Sequence, residues 1–488
     1  LKIDIENIPF DDAKTYKLLQ DALTTSVFQM ESDGFKRYLK ELKPTVFEDL
    51  IAMVALYRPG PMQFIPDYIE RKHGKQKIEY LHPKLEPILK ETYNICIYQE
   101  QLMKIAQEIC GFSLGEADVL RKAIGKKIKE LLNAQEEKFI NGAVKNGVDK
   151  KIAIEIWEWI LPFASYGFNR SHSAAYAMIS YQTAYLKAHY PVEFMASVLT
   201  SEKADVERIA FLIDECKKMD VEVLPPNINE SLKNFTVIPI NPPASGKIRF
   251  GFLAIKNVGT NIIDSIVQER KTNGPFISIG DFIYRAQLKD LNKKSMEALI
   301  KAGAFDSLAE RNQLLTNLEK LLEIARENNK SEQTNQIGLF ASKNISNNDI
   351  KLQKATPASN FEKLNWEKEL LGLYVSSHPL DDFRKIFETK TTAIIKVDES
   401  YVNKKIIIGG IISKIKKIIT KNGRPMIFMK LEDLTAKTEI VVFTSLLERN
   451  PSALQENKIV FVAGRVDDRN GEIKIVADDV QEIVRHTD

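Results

Sequence analysis

The sequence predicts a multidomain protein in which a mostly α-helical region precedes a small all-β barrel. Its 488 residues are more than one hydrophobic core usually organises, so several domains are expected. To about residue 210, apolar residues recur with helical spacing. From residue 404, they alternate with polar residues in short runs separated by turn residues, as strands do.

In the helical region, capping and breaking residues indicate where helices begin and end. Asp11 and Asp12 begin the first helix, where their carboxylates accept hydrogen bonds from unpaired amides. Pro59 and Pro61 end the apolar helix of "FEDLIAMVALY", and Gly60 supplies the turn. The helix that follows "NRSHS" is so rich in apolar and small residues that we expect it to be buried all round.

After residue 205 the pattern changes to short helices and turns, with one predicted strand near "KIRFGFLAI". Residues 326–361 are rich in Asn, Ser, Gln and Lys, which is typical of a linker or an exposed loop. A helical connecting segment at 362–400 then leads into the strands.

The strands of residues 401–488 favour a small OB-type barrel. Turn signals stand at the Asn-Gly pairs 422–423 and 470–471 and separate about five strands. Gly409 and Gly410 are placed to bend the first strand. An SH3-like barrel is the alternative.

Composition narrows the function classes without deciding between them. A hydrophobic content of 44% with 28% charged residues is ordinary for a globular protein, and a net charge of +3 indicates no global attraction to nucleic acid. Cys96, Cys110 and Cys216 form no paired motif, which favours a reducing compartment over a disulfide framework or zinc site. No apolar run approaches membrane-spanning length. We expect a cytoplasmic protein, and the first residue, Leu1, indicates a piece of a longer polypeptide.

A basic cluster lies in "GEADVLRKAIGKKIKE". Its members are Arg121, Lys122, Lys126 and Lys127. On one helix, Lys122, Lys126 and Lys129 would share a face, and Gly125 would let a ligand approach the backbone closely. Such a cluster can neutralise a triphosphate or a nucleic-acid backbone. A solvated basic face is the alternative.

A second polar cluster begins the helix of "AAYAMISYQTAYLKAHYP". Its members are Asn169, Arg170, Ser171, His172 and Ser173. Capping needs only one such side chain, whereas a helix N-terminus can also offer amides to a phosphate. The cluster has more polar side chains than capping requires, which favours an anion site. Capping alone is the alternative. His172 has no nucleophile nearby in sequence, and the six histidines lack metal-ligand spacing.

Residues 253–270, "LAIKNVGTNIIDSIVQER", resemble a helix–hairpin–helix, whose hairpin aims backbone amides at a DNA phosphate. The candidate DNA-binding residues are Lys256, Val258, Gly259 and Thr260. Asn257 stands where the usual Gly-x-Gly has its first glycine, and Asn tolerates the left-handed conformation. A structural helical hairpin is the alternative.

The first hairpin of the barrel is basic. It carries Lys414, Lys416, Lys417, Lys421 and Arg424. Basic loops of this kind suit single-stranded nucleic acid, usually together with stacking aromatic rings. We expect Phe428 and Phe443 to pack inward, so that the charge of the nucleic-acid backbone would dominate binding.

The peptide "QIGLF" leaves apolar side chains inside the polar linker. Its anchors would be Gln336, Leu339 and Phe340. Anchors of this kind in a solvated segment commonly dock into a pocket of a partner protein. The alternative is that the apolar pair packs back onto its own domain.

Carboxylates able to hold the two metal ions of nucleotidyl transfer are missing from these patterns. No Asp-x-Asp pair lies on a predicted strand, and we expect Asp11 and Asp12 to act as caps.

These stretches together resemble the alpha subunit of bacterial DNA polymerase III, the C-family replicative DNA polymerase. The resemblance covers nearly the whole chain and includes "TTSVFQMESDGFKRYLKELKP", "YGFNRSHSAAYAMISYQTAYLKAHYPVEFMASVLT" and "ELLGLYVSSHPL". It implies the end of the palm at 1–20, fingers at 21–210, a clamp-binding domain with the helix–hairpin–helix at 211–325, the polar linker with the clamp peptide at 326–361, a connecting helical segment at 362–400 and the OB domain at 401–488.

The resemblance also implies where the chemistry lies. Three catalytic aspartates of the family hold two Mg²⁺ ions in the palm, and all should precede Leu1. Lys2, Ile3 and Asp4 mimic the start of one aspartate motif, but the Leu-Gly that should follow is absent. We therefore expect no catalytic or metal-binding residue in this chain and no primer extension by the chain alone.

Residue by residue, the resemblance assigns the two polar clusters to the incoming nucleotide. Arg121, Lys122, Lys126 and Lys127 match the fingers helix that faces the triphosphate, and Asn169 to His172 match the nucleotide-facing turn. Lys122 replaces a common Arg, which keeps the charge but loses a bidentate fork. "QIGLF" matches the peptide that binds the sliding clamp.

The implied partners are deoxynucleoside triphosphate (dNTP), primer–template DNA, single-stranded template and the sliding clamp, with the clamp loader and the proofreading exonuclease bound through regions outside this chain. A non-catalytic DNA-binding and clamp-tethering protein is one alternative, and it would not need the two clusters to converge. An RNA-handling enzyme with an appended OB domain is another, but no nucleotide-binding strand–Gly-loop–helix unit is evident in the sequence.

Overall fold

The computed structural model describes residues 3–126, 129–164, 166–238, 246–285, 291–334, 350–419, 423–469 and 472–483. The chain divides into two compact units, Leu1–Val198 and Leu199–Asp488. The first is helical, and the second combines short helices with a small sheet and a five-stranded barrel.

The first unit consists of helices packed around two apolar cores. Its helices are α1 (Ala13–Gln20), α2 (Asp33–Leu42), α3 (Phe47–Leu56), α4 (Ile65–Lys72), α5 (Glu86–Leu89), α6 (Gln99–Cys110), α7 (Leu114–Lys126), α8 (Lys129–Lys145), α9 (Lys150–Ala164), α10 (Arg170–His189) and α11 (Pro191–Ser201), the last of which crosses the unit boundary. Leu39 and Met53 lie in one core, and Phe139 and Trp157 lie in the other. None of the helices in the described ranges has the length and apolar character that a membrane crossing requires.

Two predicted helix ends are confirmed. Asp12 caps α1 by accepting a hydrogen bond from the Thr15 amide at 2.7 Å. Burial alone would raise the pKa of Asp12, but hydrogen bonds from Thr15 and His189 hold it below its usual value. Helix α3 ends at Leu56, and Gly60 makes the following turn with a φ of +101°.

Helix α10 is not buried all round, contrary to the prediction. Its buried side chains form one stripe, which includes Ser173, Ala177, Tyr181 and Ala184. The opposite face has Ile179, which is 43% exposed. The apolar composition of α10 does not show how many of its sides are covered, and neighbouring helices cover only the side with this stripe.

The predicted basic face that joins Lys122, Lys126 and Lys129 is also wrong. Lys138 of α8 forms an ion pair with Glu116 of α7 at 2.8 Å, which shows that α8 packs back against α7. Lys129 therefore begins a second helix that runs back along the first.

The second unit begins with helices around a small sheet. Its elements before the barrel are α12 (Val206–Lys218), β1 (Glu222–Leu224), β2 (Thr236–Ile238), β3 (Lys247–Arg249), α13 (Thr260–Asn273), α14 (Ile279–Arg285), α15 (Lys293–Lys301), α16 (Arg311–Thr316), α17 (Leu318–Thr334), α18 (Asn360–Leu371) and α19 (Arg384–Lys390). β3 pairs parallel with β1 and antiparallel with β2. Only the β3 region was predicted, because strands of three residues are too short to show alternation.

The predicted linker 326–361 is partly helical. α17 continues to Thr334, and α18 begins at Asn360. The end of α17 is polar and lacks the apolar periodicity that identifies a helix. Composition therefore predicted a loop there. Residues 335–349 lie outside the described residues.

The barrel confirms the OB-type prediction over the SH3-like alternative. Its elements are β4 (Lys405–Ile419), β5 (Pro425–Glu432), β6 (Lys437–Val442), α20 (Thr444–Arg449), β7 (Ile459–Arg469) and β8 (Glu472–Glu482). The strands close in the order β4-β5-β6-β8-β7, with β6 and β8 parallel. β4 pairs with β7 through its first half and with β5 through its second. A Cβ at Gly410 would collide with the Glu432 carbonyl, so the close strand approach here requires glycine.

Candidate functional site

The first turn of α6 contacts both predicted nucleotide-binding clusters. Gln99 Oε1 accepts a hydrogen bond from Arg121 Nη1 at 3.2 Å, and Gln99 Nε2 donates to the Gly167 carbonyl at 3.0 Å. The Gln99 amide also donates to the Phe168 carbonyl at 2.9 Å. One side chain therefore joins the Arg121 helix to the turn that precedes α10.

Glu100 occupies the N-terminus of α10. Its carboxylate accepts hydrogen bonds from the Arg170 amide at 3.0 and 3.1 Å and from Asn169 Nδ2 at 2.8 Å. Asn169 Oδ1 in turn accepts from the His172 amide at 2.8 Å. This corrects the expectation that these helix amides are offered to a phosphate, because side chains of the protein already pair with two of them.

What the turn presents instead is side chains. Ser171 and His172 are exposed, whereas Ser173 is buried and donates to the Ile51 carbonyl at 2.5 Å. The Arg170 guanidinium lies 3.4 Å from Glu91 and is partly exposed. Ser171, His172 and Arg170 are therefore the groups available to a ligand.

On α7, Asp118 partly neutralises the basic cluster. It pairs with Arg121 at 2.7 Å and with Lys122 at 2.6 Å. These hydrogen bonds, the one from Lys122 first, lower the pKa of Asp118. Gly125 is exposed, and a Cβ there would meet nothing within 4 Å, so a ligand can approach the backbone. The Lys126 side chain and Lys127 lie outside the described residues.

The helix–hairpin–helix turn has the predicted left-handed residue. Asn257 has a φ of +69°, and Gly259 follows as the residue that caps α13. The first helix is only the short 3-10 turn Phe252–Ala254. Asn257 therefore adopts the left-handed conformation for which this motif usually has a glycine.

The DNA-binding assignment within that turn needs correction. Val258 is 7% exposed and its amide donates to Ile255, while the Lys256 amide donates to Leu370. Val258 is therefore a core residue, because the hairpin must bury one apolar side chain to pack. Within the described ranges, the amides of Gly259 and Thr260 have no hydrogen-bond partner, and the Lys256 side chain is exposed, so these three residues remain the candidates for a phosphate.

The outer face of the barrel combines lysines with an aromatic ring. Lys414, Lys416 and Lys417 are exposed on β4, but only Lys414 and Lys416 share the face of Phe428, because Lys417 stands opposite the core residue Ile427. Phe428 stands opposite Lys416 and is half-buried, and Lys474 lies 5.7 Å from the centre of its ring. Side chains alternate along β5, so packing of Ile427 and Met429 in the core turns Phe428 outward.

Our prediction that both aromatic rings pack inward was therefore wrong. Phe428 faces outward, and Phe443 is 43% exposed just after β6. Alternation alone cannot decide which set of residues faces the core, because a register shift of one residue exchanges the two faces. Lys430 and Lys474 on the same outer face were missed for the same reason.

One of these barrel lysines pairs with an acidic residue of the same unit. Lys414 lies 3.6 Å from Glu207 of α12, and both side chains are largely exposed. Arg424 is exposed beside the hairpin, and Lys421 lies outside the described residues.

The predicted clamp peptide lies outside what the structure describes. Gln336, Leu339 and Phe340 fall in the undescribed 335–349 segment. Within the described ranges, no group of three or more His, Cys, Asp or Glu side chains is placed to hold a metal ion.

Known proteins resemble this chain along nearly its whole length. It is 42% identical over 487 residues to the DNA polymerase III subunit alpha of Borreliella burgdorferi, covering 99% of this chain and 42% of the relative. The subunit of Aquifex aeolicus is 42% identical over 468 residues, covering 96% and 38%, and that of Escherichia coli strain K12 is 39% identical over 495, covering 99% and 42%. The model of the bacterial DNA polymerase III alpha subunit finger domain matches residues 1–147.

The chain belongs to the DNA polymerase III alpha-subunit family. It spans about two fifths of the length of these relatives. A helix-hairpin-helix motif model matches residues 220–314, and an OB-fold nucleic acid binding domain model matches residues 406–483. In this member of the alpha-subunit family, the fingers match thus contains both α6 and α7. A solved structure of RecG bound to a three-way DNA junction aligns with a TM-score of 0.16 and 13% identity, over 44% of this chain and 32% of that one, too little to bear on the fold.

Proposed function

We propose that this chain is the nucleotide-, DNA- and clamp-binding part of a replicative DNA-directed DNA polymerase. The observation that carries the proposal is that Gln99 contacts both Arg121 and the turn that leads into the second polar cluster. Arg121 and the residues before α10 are far apart in sequence, yet they meet on one turn of the fingers. A tethering protein has no need of that convergence.

In this function, the two clusters divide the nucleotide between them. Arg121 and Lys122 stabilise the negative charge of the triphosphate, while Ser171 and His172 contact the rest of the nucleotide. The primer 3′ hydroxyl attacks the alpha phosphate in the intact subunit, and positive groups near the leaving pyrophosphate lower that barrier. Mg²⁺, when bound by ligands outside the described residues, supplies further charge stabilisation.

The DNA is held elsewhere in the chain. The amides of Gly259 and Thr260 suit a phosphate of the duplex, and the outer face of β4 and β5 suits single-stranded template. Both sites bind through backbone charge or base stacking, which do not require a particular sequence. This matches a polymerase that must copy any template.

Binding of dATP to the full chain tests the nucleotide site. Arg121→Gln should weaken the affinity about tenfold or more, because a hydrogen bond between charged groups is lost. Lys151→Gln, an exposed change on α9, is the matched control. An affinity that is unaffected by Arg121→Gln would contradict the site. Binding of DNA without any binding of dATP would favour the non-catalytic tethering protein.

A further inference from the structure

Five side chains with π systems line one side of the proposed nucleotide turn, with His172 in the middle. They are Arg58, Phe168, His172, Tyr176 and Phe28. We propose that Tyr176, supported by Phe28, is a positioning residue that fixes the His172 imidazole for contact with the bound nucleotide. This role rests on the proposed nucleotide site.

The contacts of His172 show that its ring is held on two sides. Its imidazole stacks on Tyr176 with centroids 4.6 Å apart and an interplanar angle of 26°. Phe168 meets the imidazole at 5.3 Å and 74°, in an edge arrangement. Tyr176 lies one helical turn after His172, which places both rings on one face of α10.

Separate segments anchor the two ends of this row. The Arg58 guanidinium lies 4.4 Å from the centre of the Phe168 ring and donates to the Ala55 carbonyl at 2.9 Å. At the other end, Phe28 lies 5.5 Å from Tyr176, and its amide donates to Thr183 Oγ1 at 3.1 Å. The row is therefore fixed by the segments before α2 and after α3.

The arrangement is more than core packing, because His172 itself is exposed. A surface imidazole without neighbours samples several rotamers and must be ordered when a ligand binds. The stacked contact with Tyr176 and the edge contact with Phe168 restrict the orientation of the imidazole before the ligand arrives. Among the described residues, the Tyr176 hydroxyl has no hydrogen-bond partner. Tyr176 therefore holds His172 through its ring and not through its hydroxyl.

The test compares Tyr176→Leu with Tyr176→Phe in the full chain. The leucine variant should bind dATP about 3- to 10-fold more weakly, since an imidazole that has lost its stacking partner must be ordered on binding. The phenylalanine variant keeps the ring and should bind within about twofold of the wild type. In NMR spectra, the His172 ring protons should lose their ring-current shift in the leucine variant and keep it in the phenylalanine variant.

A double-mutant cycle separates positioning from a general structural effect. In a His172→Ala background, Tyr176→Leu should change dATP affinity by less than about twofold, because the group it acts through is gone. If Tyr176→Leu disturbs folding, Phe28→Leu gives the same comparison, with a smaller expected loss. Additive losses, or full affinity in Tyr176→Leu, would overturn the role of Tyr176 alone. Absence of dATP binding by the wild type would instead overturn the proposed function and this role with it.

Discussion

At the scale of single residues, Arg311 and Glu367 form a buried ion pair in the second unit. Their side chains are 2% and 0% exposed, and the charged groups lie 3.0 Å apart. The second oxygen of Glu367 accepts hydrogen bonds from the amides of Val375 and Ser376, both at 3.0 Å. Removing one partner would leave a buried charge without full compensation, which costs more than the intact pair contributes.

Glu367→Gln should therefore destabilise the second unit by about 3 kcal/mol, the lower part of the range for a broken buried pair. The lower value is expected because Asp306 still pairs with Arg311 at 2.7 Å. Hydrogen exchange of α16 and α18 in increasing urea measures the loss. Glu369→Gln, an exposed change on the same helix, is the control and should have almost no effect. Equal protection in both variants would show that the pair contributes nothing.

Glu116 makes the hairpin of α7 and α8 sensitive to acid. The hydrogen bond from Lys138, followed by those from Ser113, lowers the pKa of Glu116 from 4.5 to about 2. A carboxyl whose pKa is lower in the folded state stabilises that state above its ordinary pKa. This stabilisation is lost as the pH falls through the window from 4.5 to about 2.

Hydrogen exchange of α7 and α8 at matched pH should show this dependence. The wild type should be more protected than Glu116→Gln above about pH 5, and the difference should disappear near pH 2. Lys151 pairs only weakly with Glu155, so Glu155→Gln on α9 is a suitable control. A difference that persists unchanged to the lowest pH would contradict an ionic origin.

At the scale of elements, the sequence predicted what repeats locally and missed what depends on distant partners. The alternation of apolar and polar residues and the Asn-Gly pairs were enough to predict the barrel. Asp12 was enough to predict where α1 begins. The role of Glu100 was missed because its partner Arg170 lies 70 positions away. Nothing local marks a carboxylate that will cap another helix. The outward direction of Phe428 likewise depends on strand register, which the sequence leaves open.

The β4–β5 face should bind single-stranded DNA through both charge and stacking. Phe428→Ala should weaken binding of a thymidine oligonucleotide by about 1–3 kcal/mol, the usual value for one stacked base. Lys416→Gln should lower the salt dependence of log K by about one, because one phosphate contact is lost. Fluorescence anisotropy at several salt concentrations measures both effects.

Ile407→Ala is the matched control for this face, because Ile407 is exposed on β4 where that strand pairs with β7 instead of β5. It should leave both the affinity and the salt dependence unchanged. Binding that does not respond to salt, or that is equally weakened by Ile407→Ala, would indicate that this barrel face binds protein rather than DNA.

At the scale of the whole molecule, the proposed function places three binding tasks at different positions along the chain. The groups proposed to bind the nucleotide lie in the first unit, and the hairpin amides and the barrel face proposed to bind DNA lie in the second. In sequence, the proposed clamp peptide lies between α17 and α18, and α18 begins at its own N-cap, Ser359. Clamp binding should therefore be separable from DNA binding by substitution.

Replacing Leu339 and Phe340 together with alanine should abolish binding of the purified sliding clamp to the chain. Apolar anchors supply most of the energy when a solvated peptide docks into a pocket, about 2 kcal/mol or more for each anchor. Ile345→Ala, in the same polar segment but outside the peptide, is the control and should bind the clamp normally. Affinity for single-stranded DNA should be equal in all three proteins, since the barrel is untouched. Clamp binding that survives the double substitution would place the contact elsewhere in the chain, and a parallel loss of DNA binding would show that the tasks are not independent.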